Sequence, residues 1–249
     1  MWHRPLVLSI LLTSFVLSGC ATVDSKLKAS PSKGAGFVPV EEMAKHPDLP
    51  FNKAWLKEGV DWQRYETIYI APVNTDYLMQ ANWWQQNIRA GQMQHDVQDL
   101  ATFMQREFIR AFQDDPKHRF RVMVISEEGS LTLEMALTEL VPSNVLLDAI
   151  KVGGQKGSGA AAAVLERATE AQSTVAFEAR IKDTNTGEIV GMVADREYAT
   201  TRPIDLRGLT WYGNAKQIIT TWSHQFVDVA NGRPGEIVKP ASTFSLKPW

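Results

Sequence analysis

Leu17-Ser18-Gly19-Cys20 closes an apolar run and contains the only cysteine of this 249-residue chain. The spacing points to one piece of chemistry. Small residues at Ser18 and Gly19 let a peptidase reach the backbone, and the thiol beside the cut can take up a diacylglyceryl group. Arg4 and then Leu6 to Leu17 supply a basic n-region and an apolar h-region too short to remain as a membrane span. An ordinary secretory signal ends in an Ala-x-Ala pattern. Leu, Ser and Gly before a cysteine fit a lipobox instead, so the mature chain is expected to begin at lipidated Cys20. Each buried methylene contributes about 0.8 kcal/mol, so two or three acyl chains such as palmitate hold a protein at a bilayer where one does not. Ala21 after the cysteine, in place of an aspartate, directs the expected anchor to the outer membrane, facing the periplasm.

Other reactive residue types are present in patterns that fall short of a site. A phosphate cradle needs Gly-x-x-x-x-Gly-Lys-Ser/Thr, with converging amides and a lysine reaching the phosphates. Gly154 and Gly159 have the glycine spacing, but Ala160 and Ala161 follow and Lys156 lies inside the loop. Gly153, Gly154, Gly157 and Gly159 therefore read as a flexible loop before a tightly packed alanine helix, with small residues that also permit close self-association. His95 with Asp99, and His224 with Asp228, stand at i, i+4 spacing, yet neither pair has a third metal ligand in sight. Lys156 replaces the first glycine of a Gly-x-Ser-x-Gly elbow around Ser158. Glu41-Glu42, Asp114-Asp115 and Glu127-Glu128 read as solvated pairs at loops and helix ends. No catalytic residue, metal or cofactor is expected. Trp83-Trp84 sits among Gln80, Asn82, Gln85, Gln86 and Asn87, and a large apolar face in polar company suits a protein interface. Trp222, on an apolar helix stripe, reads as core.

Composition narrows the classes further. The formal net charge is −2 and no basic stripe exists, so nucleic acid is not an expected partner. With one cysteine no disulfide can staple the fold, and 44% hydrophobic residues must supply the core. Residues 1–19 are expected to form the signal and 20–54 a lipidated, flexible tether rich in Ser, Gly and Pro. A single domain over 55–230 and a surface tail over 231–249 complete the organisation.

Within that domain the pattern alternates between two periods. Tyr65 to Val73 is rich in β-branched and aromatic residues and reads as a buried strand, and Asn74 to Gln94 as a loop or irregular helix. Val97, Leu100, Met104, Phe108 and Phe112 recur at three and four, which predicts a helix ending before Asp114-Asp115-Pro116. Arg119 to Ser126 predicts a strand. Leu131, Leu133, Met135 and Leu137 alternate with polar residues, predicting a strand with one face in the core and one in water. Asn144 to Gln172 reads as helix, glycine loop, helix. Residues 174–194 form a hairpin around Asp183-Thr184-Asn185-Thr186-Gly187-Glu188, and Leu209 to Val229 a last helix. The order is β-α-β-β-α-β-β-α, an α/β (α+β) fold with a single mixed sheet and helices mainly on one face.

Asp61-Trp62-Gln63-Arg64-Tyr65 leading into Ile68 to Val73, the glycine and alanine stretch, Ile181 to Val190 with Asp195-Arg196, and Trp211-Tyr212-Gly213 before Trp222 occur in that order. Together, over residues 55–230, they resemble the bacterial lipoproteins known as domain of unknown function 3313. The element order is also similar to the amino-terminal α/β domain of the periplasmic protein TolB. The first resemblance implies a lipoprotein address and a fold, with no established activity. The expected function is that of a non-enzymatic, envelope-anchored lipoprotein binding an envelope protein partner or a second copy of itself. An envelope hydrolase or glycan-binding enzyme, and a homo-oligomeric component of an assembly or secretion complex, are the alternatives.

Overall fold

Six strands make one mixed sheet in the computed structural model, which describes residues 29–80, 92–140, 174–198, 213–233 and 235–240. In chain order they are β1 (Lys53–Leu56), β2 (Thr67–Ile70), β3 (Arg121–Met123), β4 (Leu131–Leu140), β5 (Thr174–Asp183) and β6 (Ile189–Tyr198). Across the sheet the order is β1-β6-β5-β4-β2-β3, with β2 parallel to β3 and β4 and every other pair antiparallel. The helices are a short α1 (Asp76–Met79), α2 (Gln92–Gln113) and α3 (Gly213–Asn231). Parallel β2 and β3 require a crossover, and α2 lies in that connection.

The two periods locate the core. Leu131, Leu133, Met135 and Leu137 of β4, with Val175, Phe177 and Ala179 of β5, pack against Leu100, Met104 and Phe108 of α2 and Trp222 and Phe226 of α3. Phe177 and Trp222 pack with their planes tilted by 55° and 4.4 Å between ring centroids, and Phe226 meets Phe108 at 5.1 Å and Phe51 at 4.9 Å. Fully burying a side chain of this size stabilises by about 1.5–3 kcal/mol. This aromatic knot therefore fixes how α3 sits on the sheet.

The second face of the sheet departs from expectation. Ala136 of β4 and Ala194 of β6 lie beneath Phe37, Val38, Val40 and Met43, which form a second buried cluster with Tyr77 and Met192. The expected tether thus gives way, from Ala29 onward, to chain packed on the sheet. Ala29 is buried and donates its N–H to the Arg196 carbonyl, and Ala54 donates to Ala44. A segment of Ser, Gly and Pro lacks periodicity but can follow an irregular path over side chains. Gly34 shows why glycine is needed there, because its φ is +87° and a Cβ would stand 3.0 Å from the Val40 Cβ. β1 is a further correction, since an unexpected four-residue strand straddling the expected tether boundary at 54/55 completes the sheet. The strand expected over 119–126 shrinks to β3. The helix-loop-helix expected over 144–172 lies outside the described residues.

Candidate functional site

The polar residues of the quoted motifs meet one another inside the fold. Tyr65 donates its hydroxyl to Asp183 Oδ2 at 2.6 Å, and the Arg64 guanidinium bonds the same oxygen. The backbone N–H groups of Asn185 and Thr186 donate to Asp183 Oδ1 at 2.9 and 3.1 Å, forming the turn of the β5–β6 hairpin. The Tyr65 bond, reinforced by those amides and by Arg64 and opposed by burial, holds the Asp183 carboxyl down at about 2. Burial and the neighbouring carboxylate push the Tyr65 hydroxyl up. An aspartate so committed is a fixed negative charge, unsuited to exchanging protons near neutrality.

Asp195 plays the same part at the other end of the hairpin. Its Oδ2 accepts from Trp222 Nε1 at 2.9 Å and its Oδ1 from the Asn52 N–H at 3.0 Å, while Asn52 Oδ1 accepts from the Arg196 N–H. On the opposite face Glu178, fully buried, accepts from the N–H groups of Ala35 and Val38 at 2.6 and 2.8 Å. Asp115, expected to be solvated, is 2% exposed. Burial works against its charge, but N–H donors of Arg119 and Lys117 and the Asn231 amide hold its carboxyl below the ordinary range.

Two hollows remain. One is an apolar cavity of about 280 Å³ between the sheet and the end of α3, walled by Ile68, Leu131, Leu133, Val193 and Phe226, with Trp62 at its side. His46, Asp48, Arg119, Arg233 and Glu236 form its polar rim, and Gly232, Arg233, Gly235, Glu236 and Val238, the strap after α3, line it. Sealed and empty, a void of that size would cost about 7 kcal/mol at ~24 cal/mol per Å³. Native stability totals only about 5–15 kcal/mol.

The other hollow is a polar cleft of about 840 Å³ between the ends of α2 and α3, holding Asp115, Ser223, His224 and Asp228. Burial pushes the Asp228 carboxyl up against the lowering influence of His224 and Lys117. Ser223 is 1% exposed and donates to the Thr220 carbonyl of its own helix at 2.8 Å. The cleft thus gathers the residue types of a hydrolytic triad with the serine turned to its own backbone.

Cys20, Trp83, Trp84, Gly153, Gly154, Gly157 and Gly159 lie outside the described residues. Trp222 is core, as its helical spacing implied. His95 and Asp99 pair at 3.2 Å on an open face of α2, and no group of three metal-ligating side chains occurs among the described residues. Sequence reasoning missed Glu178, Asp195 and the cavity. For Glu178 the only available signal was an acidic residue in a hairpin strand whose neighbours Phe177 and Ala179 are apolar.

The family of proteins of unknown function DUF3313 matches residues 36–226, and the chain belongs to that family. The match begins within the segment packed on the second sheet face. Two crystal structures of the PelC dodecamer from Paraburkholderia phytofirmans are similar in fold at 8% identity. One gives a TM-score of 0.37 over 71% of this chain and 97% of that one. The other gives 0.36 over 69% and 95%. No curated protein matches the chain.

Proposed function

We propose that this member of the family is exported, lipidated on Cys20 and held at the outer membrane facing the periplasm, where its body works by binding and not by catalysis. One observation carries the binding reading. The buried carboxylates Glu178, Asp183 and Asp195 each accept two hydrogen bonds from distant parts of the chain, and Asp115 ties its own loop to Asn231 at the end of α3. They support a rigid scaffold. The anchor rests on the lipobox Leu17-Ser18-Gly19-Cys20. Among the described residues no helix is long and apolar enough to cross a membrane.

Labelling cells with an alkyne analogue of palmitate, followed by in-cell crosslinking and mass spectrometry, tests both halves. The wild type should take up label and crosslink to a defined envelope protein or to a second copy, and Cys20→Ser should lose the label and the crosslink. Unlabelled wild-type protein would overturn the anchor, and labelled protein without a specific crosslink would overturn the binding role.

The cleft that gathers Ser223, His224 and Asp228 favours a second reading, an envelope hydrolase. Under it, purified protein should turn over ester or amide substrates and Ser223→Ala should abolish that turnover.

A further inference from the structure

We propose that the cavity beside the strap after α3 is a binding site for one aliphatic chain with an anionic head, a fatty-acyl amphiphile. Its walls come from three directions: Ile68, Leu131, Leu133 and Val193 from the sheet, Phe112 from α2, and Phe226 and Val229 from α3. Protein interiors pack like organic crystals, and elsewhere this core is closed by aromatic rings in contact. A hollow left among such residues is shaped for an apolar guest, and apolar cavities stay dry until one enters. Its volume of about 280 Å³ lies just below the ~300–1,000 Å³ range of ligand pockets and suits a short acyl chain.

The mouth supplies the head-group chemistry. Arg119 lines the cavity, stacks on Phe120 at 4.3 Å and donates to the carbonyls of Tyr65 and Trp62 at 2.8 and 2.5 Å. Those partners are neutral, so they fix the guanidinium without cancelling its charge. Arg233 stands exposed on the strap beside the opening. Two carboxylates share the rim, Asp48 and Glu236, the latter engaged by the Arg233 backbone N–H at 2.9 Å. Among the described residues the strap is joined to the body at its two ends, through the Gly232 N–H and Val229 carbonyl at 3.2 Å and the Val238 N–H and Asp48 carbonyl at 2.9 Å. An acyl chain fits this arrangement better than a peptide, whose amides would find no partners in the walls.

The acyl chain has two sources, a free envelope lipid or the protein's own anchor on Cys20. The site itself stands on the cavity and not on the anchor, so failure of palmitate labelling would leave it intact.

Dansyl-α-aminocaprylic acid tests the site, because its dansyl group and carboxylate sit together at the head and leave a short alkyl tail for the cavity, and the protein's tryptophans, Trp62 in the wall among them, can transfer excitation to the bound dansyl group. Both the Cys20→Ser protein and the lipidated protein in nanodiscs are titrated. Saturable transfer is expected for Cys20→Ser, displaced by unlabelled fatty acids whose affinity rises about three- to fourfold per added methylene and then levels once the cavity is full. If the lipidated protein also takes the probe, the site serves a free lipid; if it refuses, its own chain occupies the cavity. Ala230→Phe, which fills the hollow from α3, should weaken binding at least tenfold, and Arg233→Glu should weaken decanoate severalfold while leaving decanol unchanged. Should Ala230→Phe fail to fold, the chain-length series decides alone. Absence of saturable transfer in Cys20→Ser, or affinity that climbs with chain length without levelling, would overturn the proposal.

Discussion

Tyr65 and Asp183, 118 residues apart in the chain, are joined by a 2.6 Å hydrogen bond that links the entrance of β2 to the turn between β5 and β6. The two belong to motifs that no local rule connects. Their meeting explains why an Arg64-Tyr65 pair and an Asp183-Thr-Asn-Thr-Gly turn occur in the same chain. The aspartate needs Tyr65 and Arg64 on one oxygen and its own turn amides on the other.

Tyr65→Phe should cost about 1.5–3 kcal/mol, the contribution of a hydrogen bond to a charged group, read as a lower urea midpoint at unchanged m-value. Acid should act through the same pair. The Asp183 carboxyl is held at about 2 when folded, against 3.8 ordinarily. Its contribution is therefore fully present above pH ~4 and lost as pH falls toward ~2. Urea melts at intervals from pH 5 to pH 2 should show wild type losing stability relative to Asp183→Asn across that window. Parallel curves would refute the assignment.

Glu178→Gln should loosen the second sheet face even though shape is conserved. Ala35 and Val38 both present N–H donors to the carboxylate. An amide can accept only one of them and turns its NH₂ toward the other. Hydrogen exchange of residues 33–43 should accelerate at least tenfold while α2 stays protected. Equal protection in both proteins would show that the segment is held by its apolar contacts alone.

Gln225→Met is expected to stabilise. Gln225 is 1% exposed, and neither atom of its amide finds a hydrogen-bond partner among the described residues. Leaving such a group buried costs about 1–3 kcal/mol. Methionine fills nearly the same volume without it, so the thermal midpoint should rise by several degrees. A fall would show that the amide has a partner.

Trp222→Phe should destabilise by about 2–4 kcal/mol, combining the lost bond to Asp195 with a partial cavity next to Phe177. Near-ultraviolet circular dichroism should lose much of its tryptophan signal while far-ultraviolet signal persists. An unchanged urea midpoint would remove Trp222 from the centre of the core.

Elements that bury one face against a regular partner were legible in the sequence. The alternation from Leu131 to Leu137 and the three-four spacing from Val97 to Phe112 translate directly into β4 and α2, because packing repeats with the backbone period. Glu178 was not legible. On a strand, an acidic residue facing away from the core reads as solvated. What covers it is an aperiodic stretch about 140 residues earlier, whose own backbone supplies the hydrogen bonds. β1 escaped because four residues, Lys53–Leu56, are too few to display a period. The cavity was invisible for a deeper reason: it is the space left between faces whose side chains each obey their own pattern, and only the assembled core shows that they do not quite meet.

The burial of Ala29 against β6 has a mechanical consequence. If Cys20 carries the anchor, the nine peptide steps from it to Ala29 reach at most about 30 Å. On that condition the body would be moored on a short line, fastened beside Arg196. Ile181, in the wall of the cavity, lies five residues along β5 from Ala176, the partner of Arg196, or about 17 Å at strand rise. The leash thus has a defined pole. With that anchor, the line would keep the attachment point at Ala29 within about 30 Å of the bilayer, so a partner's reach would be set by the line plus the span of the body.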